Sequence, residues 1–145
     1  MNYNLGLFSV YCDGGSRGNP GPSACAFVLK DEFGKILHQE GKFLGTATNN
    51  IAEYQGVLLA LSYIKNNAQC AMRNSSIEFY LDSSLVVNQI NGAFKVKNAT
   101  LRELLLEINS HLLTINSQLS FLYIPREQNY DADLLVNQTL DSHTK

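Results

Sequence analysis

Residues 5–44 read LGLFSVYCDGGSRGNPGPSACAFVLKDEFGKILHQEGKFL, and residues 51–64 read IAEYQGVLLALSYI. The change of pattern between the two decides the fold. Residues 5–12 are apolar, β-branched or aromatic in part and run into Asp13-Gly14-Gly15, which predicts a strand entering a tight turn. GNPGP at residues 18–22 breaks regular structure, and residues 24–30 are a short apolar run. DEFGK at residues 31–35 predicts a hairpin turn, with a returning strand over residues 36–44. Together these make an antiparallel meander. Beyond it, apolar side chains fall at Ile51, Tyr54, Val57, Leu58, Leu61 and Ile64, one face of an α-helix. Asn49 or Asn50 is placed to cap it.

The remainder alternates. Residues 77–81 (IEFYL) predict a buried strand. Asp82-Ser83-Ser84 offers a cap for a short helix over residues 85–90, which stops at Asn91-Gly92. Leu101, Leu104, Leu105, Ile108 and Leu112 mark a long amphipathic helix over residues 101–113. A last strand spans residues 119–124, is broken by Pro125, and leads to a helix capped by Asn129 and running to about Leu140. The order β-β-β-α-β-α-α-β-α predicts an α/β fold, a mixed five-stranded sheet with helices on both sides.

Length and composition bound the function. The 145 residues, 45% apolar and 17% charged, predict a single domain over 1–145 with a full core, and exclude a disordered chain. The formal charge of −2 excludes a strongly basic coat, so any polyanion must be met by a local patch. Cys12, Cys25 and Cys70 lack metal-ligand spacing and are odd in number, which predicts free thiols in a reducing cytoplasm. No stretch reaches the ~18 apolar residues of a membrane span, and residues 1–15 lack the basic start of a signal peptide. The expectation is a soluble cytoplasmic monomer with no membrane partner.

Acidic residues fall at element ends: Asp13 at the end of the first strand, Glu53 in the first turn of the first long helix, Asp82 at the end of IEFYL, and Asp133 in the first turn of the last helix. Ligand sites of such sheets lie at these strand ends. Singly, each acid suits a turn, a cap or a helix dipole. Brought together they repel, and a cation relieves that repulsion; an all-oxygen set favours Mg²⁺ or Mn²⁺. His38, His111 and His143 are scattered and form no metal set.

Four stretches, in order, carry a family resemblance: YCDGGSRGNPGP (residues 11–22), TNNIAEYQGVLLAL (48–61), FYLDSSLVVNQI (79–90) and YIPREQNYDADLL (123–135). With them the chain resembles type 1 ribonuclease H, in the compact variant of many bacteria and archaea. The resemblance implies a ribonuclease H-like fold and an endonuclease that cuts the RNA strand of an RNA–DNA hybrid, leaving 5′-phosphate and 3′-hydroxyl ends. It implies two Mg²⁺ or Mn²⁺ ions with substrate bound, held by Asp13, Glu53, Asp82 and Asp133. Asp13 would bridge both ions, Glu53 and Asp82 would each hold mainly one, and Asp133 would tune the hydrolytic side. Gly14, Gly15 and Gly18 let backbone amides approach a sugar–phosphate chain, with Ser16 and Asn19 adding hydrogen bonds. Thr48 matches a residue that touches a DNA phosphate, and Asn49 and Asn50 match residues that reach the minor groove. Compact relatives also accept double-stranded RNA, so two alternatives stand beside hybrid cleavage: a nuclease acting on that duplex as well, and a nuclease-dead hybrid-binding module.

The chain departs from larger family members twice. The loop before the last helix carries no His, and Arg126 is its only basic residue, an electrostatic substitute. Where a basic handle would lie, NGAFKVKNAT (residues 91–100) supplies only Lys95 and Lys97 for phosphate contacts, and Phe94 just before them is expected to pack.

Overall fold

The computed structural model describes residues 6–67 and 75–143. Three antiparallel strands open the chain: β1 (Leu7–Ser16), β2 (Gly21–Lys30) and β3 (Ile36–Ala47). Then follow α1 (Asn49–Lys65), β4 (Ser76–Leu81), α2 (Ser84–Ile90), α3 (Ala99–Thr114), β5 (Gln118–Tyr123), a single 3₁₀ turn over Arg126–Gln128, and α4 (Tyr130–His143). The sheet order is β3-β2-β1-β4-β5, antiparallel across β1–β2–β3 and parallel across β1–β4–β5. The predicted order and mixed sheet are therefore found. Cys12 and Cys25 are buried free thiols, whereas Cys70 lies outside the described residues.

Strand alternation sorts the core into two layers. Val10, Cys12, Phe27, Leu29, Ile77 and Phe79 turn to one face and pack under α1 and α3. Ala24 and Ala26 turn to the other, where Val136 and Leu140 of α4 cover them. The small residues let α4 lie close to β2, while the larger face receives a helix that is itself covered: α1 sits between the sheet and α3. Tyr54 of α1 donates a 2.6 Å hydrogen bond to Gln89 of α2, satisfying both groups inside the core.

Several local readings need correction. Asp13-Gly14-Gly15 is no turn, because β1 continues through it, pairing Asp13 with Ala26, Gly14 with Cys25 and Gly15 with Ala24. What ends near Asp13 is the parallel pairing with β4, whose last partners are Tyr11 and Tyr80. Gly14 is required by helix packing: a Cβ there would lie 2.2 Å from the backbone carbonyl of Ala52. The cap of α1 is Thr48, whose hydroxyl accepts from Ile51 N at 3.2 Å, so Asn49 and Asn50 are already helical and Glu53 falls beyond the first turn. Within Asp82-Ser83-Ser84, which was expected to cap α2, the capping residue is Ser83. Phe94 is 50% exposed, and Val96 packs inward in its place.

Candidate active site

β1 and β4 separate after Tyr11 and Tyr80, and the next residues on that face of the sheet are Asp13 and Asp82. α1 crosses directly over β1, where neither Gly14 nor Gly56 carries a Cβ; at Gly56 one would lie 2.7 Å from the carbonyl oxygen of Asp13. That close approach lowers Glu53 onto the same point. Carboxylate oxygens of Asp13, Glu53 and Asp82 lie within 4.8 Å of one another, with Asp13 and Glu53 buried and Asp82 half-buried. Asp133, half-buried in the first turn of α4, stands outside this trio but lines the same open cleft of about 640 Å³.

The electrostatics are those of a site built for positive charge. Burial, then the neighbouring Asp82, pushes the Asp13 carboxyl up to about 8, with Asp133 adding to the rise. A hydrogen bond from the Gly14 backbone amide and the charge of Arg126 oppose it. Glu53 is raised too, by burial first and then by Asp13 and Asp82, and Arg126 again opposes. Glu53 Oε1 is buried without a hydrogen-bond partner. An orphaned carboxylate oxygen aligned with two more acids fits a hard divalent cation, whose ligands are oxygens.

Around the trio, Gly15, Ser16, Asn49 and Arg126 line the cleft. Arg126 is exposed in the 3₁₀ turn and makes no ion pair with Glu127. Gly14 spends its amide on Asp13, which leaves Gly15, where a Cβ would meet only Val136 at 3.7 Å, as the more open glycine. Ser16 N donates to Asn49 Oδ1 at 2.9 Å, and Asn49 N donates to Asn19 Oδ1 at 3.0 Å, so these polar groups are mutually positioned. A second hollow of about 320 Å³ joins Asn19, Thr48, Asn49 and Asn50 to Asn98 and Thr100 at the start of α3. Asn98 was not singled out in the sequence, although its place ahead of Leu101 marks it as a cap, and its Oδ1 does accept from Leu101 N at 3.0 Å. Lys95 and Lys97 are exposed between α2 and α3 and line neither space.

One residue was misread. Asn129 is completely buried and its side chain does not cap α4. Its Nδ2 donates to the carbonyl of Cys12 at 2.8 Å and to Asp82 Oδ2 at 3.0 Å. No sequence pattern announces a contact made across 117 positions.

A mixed sheet in the order 3-2-1-4-5, with acids gathered where its central strands part, defines a ribonuclease H-like protein. A family model described as reverse transcriptase-like matches residues 11–139. Ribonuclease HI of Halobacterium salinarum is 38% identical over 136 residues, covering 94% of this chain and 65% of that protein. The bifunctional protein Rv2228c of Mycobacterium tuberculosis is 34% identical over 135 residues, 92% of this chain and 35% of its own length. The chain thus spans less than two thirds of these curated relatives. The crystal structure of LC11-RNase H1 in complex with RNA/DNA hybrid superposes with a TM-score of 0.90 at 37% identity, covering 95% of this chain and 99% of that one. This chain belongs to the type 1 ribonuclease H family.

Proposed function

We propose that this chain is a metal-dependent endonuclease that hydrolyses the RNA strand of RNA–DNA hybrids and leaves 5′-phosphate and 3′-hydroxyl ends. The convergence of Asp13, Glu53 and Asp82 within 4.8 Å carries the reading, and the relative solved with RNA/DNA hybrid supports it. Asp13, Glu53 and Asp82 would hold Mg²⁺ or Mn²⁺, two ions once substrate is bound, and Asp133 would complete the set from the rim of the cleft. When bound, the metal supplies an activated water and neutralises charge at the phosphate and leaving oxygen.

The chain's own residues do the rest. Asp13 on β1 would share the ions with Glu53 of α1 and Asp82 just beyond the end of β4, whose carboxylate oxygens all lie within 4.8 Å of one another. Arg126 adds a fixed positive charge on the open side of the cleft. Gly15 and Ser16 let the nucleic-acid backbone lie close to β1, whereas Gly14, expected among the substrate contacts, is taken up by packing against α1; Asn19, Thr48, Asn49 and Asn50 offer polar contacts to the sugar edge and the opposite strand. The 2′-hydroxyl marks the strand to be cut. Lys95 and Lys97 extend the contact to phosphates farther along. Residues 1–145 act as one monomeric domain, and the buried free thiols Cys12 and Cys25 favour the cytoplasm. Among the described residues no helix is long and apolar enough to cross a membrane.

End-labelled RNA–DNA hybrid, double-stranded RNA and double-stranded DNA, incubated side by side with Mg²⁺, test the proposal. Cleavage of the hybrid in its RNA strand, with the stated ends, is the expected result. Cleavage of double-stranded RNA at a matching rate would widen the substrate class. Hybrid binding without cleavage would make the chain a binding module.

A further inference from the structure

Asn129 sits where the elements that carry three of the acids meet. It is fully buried, and both donors of its amide are spent on acceptors: the carbonyl of Cys12, one residue before Asp13, at 2.8 Å, and Asp82 Oδ2 at 3.0 Å. The amide cannot be turned over, because its oxygen would then face a carbonyl and a carboxylate. The Asn129 backbone carbonyl accepts from Asp133 N at 3.1 Å, so the start of α4 is fixed to the same point. This arrangement leaves Asn129 Oδ1 buried without a hydrogen-bond partner. A tie to Cys12 alone needs one donor and no orphaned acceptor. The side chain present supplies two donors in one plane, and the second is aimed at an acid of the cluster.

We infer that Asn129 is a positioning residue of the metal centre. By holding Asp82 Oδ2, it fixes the carboxylate that converges with those of Asp13 and Glu53. By holding the Cys12 carbonyl and the Asp133 amide, it fixes the spacing of β1, β4 and α4 at the site. Hydrogen-bonded groups behind metal ligands orient them, and their loss typically weakens metal affinity or activity by about 10–100-fold. The inference rests on the metal-dependent reading above.

Two measurements test it, neither resting on turnover alone. In isotope-labelled wild-type protein, titration with Mg²⁺ should move the Asn129 side-chain amide resonances with the midpoint found for Mg²⁺ binding by calorimetry. Resonances that stay fixed while the ion binds would overturn the inference, whether or not any variant folds. In the variant Asn129→Ala, Mn²⁺ affinity without substrate should fall about 10–100-fold, with kcat reduced and KM for the hybrid unchanged. Ile108→Val, a buried change in α3 far from the acids, serves as the control: it should lower the melting temperature and leave Mn²⁺ affinity and kcat unchanged. A folded Asn129→Ala that binds Mn²⁺ like wild type would also overturn the inference. Failure of wild-type protein to bind either ion or cut the hybrid would instead defeat the functional reading itself.

Discussion

Asp13 is held up to about 8 chiefly by burial, and next by Asp82. A carboxyl raised in the folded state binds a proton there that the unfolded chain has already released. Its contribution to stability is complete below the unfolded value of about 3.9 and is lost as pH rises through about 8. Glu53 is shifted in the same direction. The melting temperature of metal-free protein should therefore fall between pH 5.5 and 8, and millimolar Mg²⁺ should reduce that fall; thermal melts in matched buffers with a chelator or with Mg²⁺ read both effects. A flat or rising metal-free profile would contradict the assignment. Arg126 opposes the rise at both acids. Arg126→Ala should lower kcat by about 10²–10³, the usual cost of removing a positioned charge-stabilising group, move the lower limb of the rate profile to higher pH, and leave the melting temperature nearly unchanged. Arg126→Lys should recover part of the rate, since the charge remains and the fork is lost. These charged groups were legible in the sequence because acids at strand ends and helix starts have few structural uses that combine. Asn129 was legible only as a cap, because its partners at Cys12 and Asp82 are set by tertiary contacts.

At the scale of elements, β1 and α1 make the site by touching. A Cβ on Gly14 would lie 2.2 Å from the Ala52 carbonyl, whereas one on Gly15 would meet only Val136 Cγ1, at 3.7 Å. Gly14→Ala should push α1 outward, withdraw Glu53 and cost about 1–3 kcal/mol or more, as overpacking does. Gly15→Ala should melt close to wild type. Denaturant unfolding and Mn²⁺ calorimetry on the two variants decide the matter; equal behaviour would show that α1 does not depend on the missing Cβ. The two glycines are adjacent, and no local signal separates them. That is also why the segment reads as a turn: glycine after Asp signals a turn in isolation, while here it serves a helix some 40 residues away in sequence, about the separation of Gly14 from Ala52. The periodicities of α3 and β4 were legible because each has one face committed to the core, and that of α1 because its large apolar side chains keep a helical spacing although the helix is covered on two sides. Helix starts shifted by one or two residues, as at Thr48, because several polar residues in a row can each cap.

The whole molecule carries a formal charge of −2, and the proposed function requires it to meet a polyanion on one face. Binding should therefore be modest and weaken steeply with salt, each phosphate contact contributing roughly 0.7–0.9 to the slope of log K against log salt. Replacing Lys95 and Lys97 together by Ala should flatten the slope by about 1–2 units and raise KM more than it lowers kcat; an unchanged slope would show that neither side chain meets the backbone. The mixed sheet and its helices on both sides were legible as an order of elements, whereas the clustering of the acids depends on how β1, β4 and α1 are stacked. The central claim is that this cluster is a metal centre that cuts the RNA strand. The most direct test is a time course of hybrid cleavage with millimolar Mg²⁺ by wild type, Asp13→Asn and Asp82→Asn, each variant checked by a melt. Cleavage by wild type, none by either variant, and metal-free melting temperatures at or above wild type are the predicted results, because removing one of several crowded charges relieves repulsion. Near-normal cleavage by either folded variant would contradict the account.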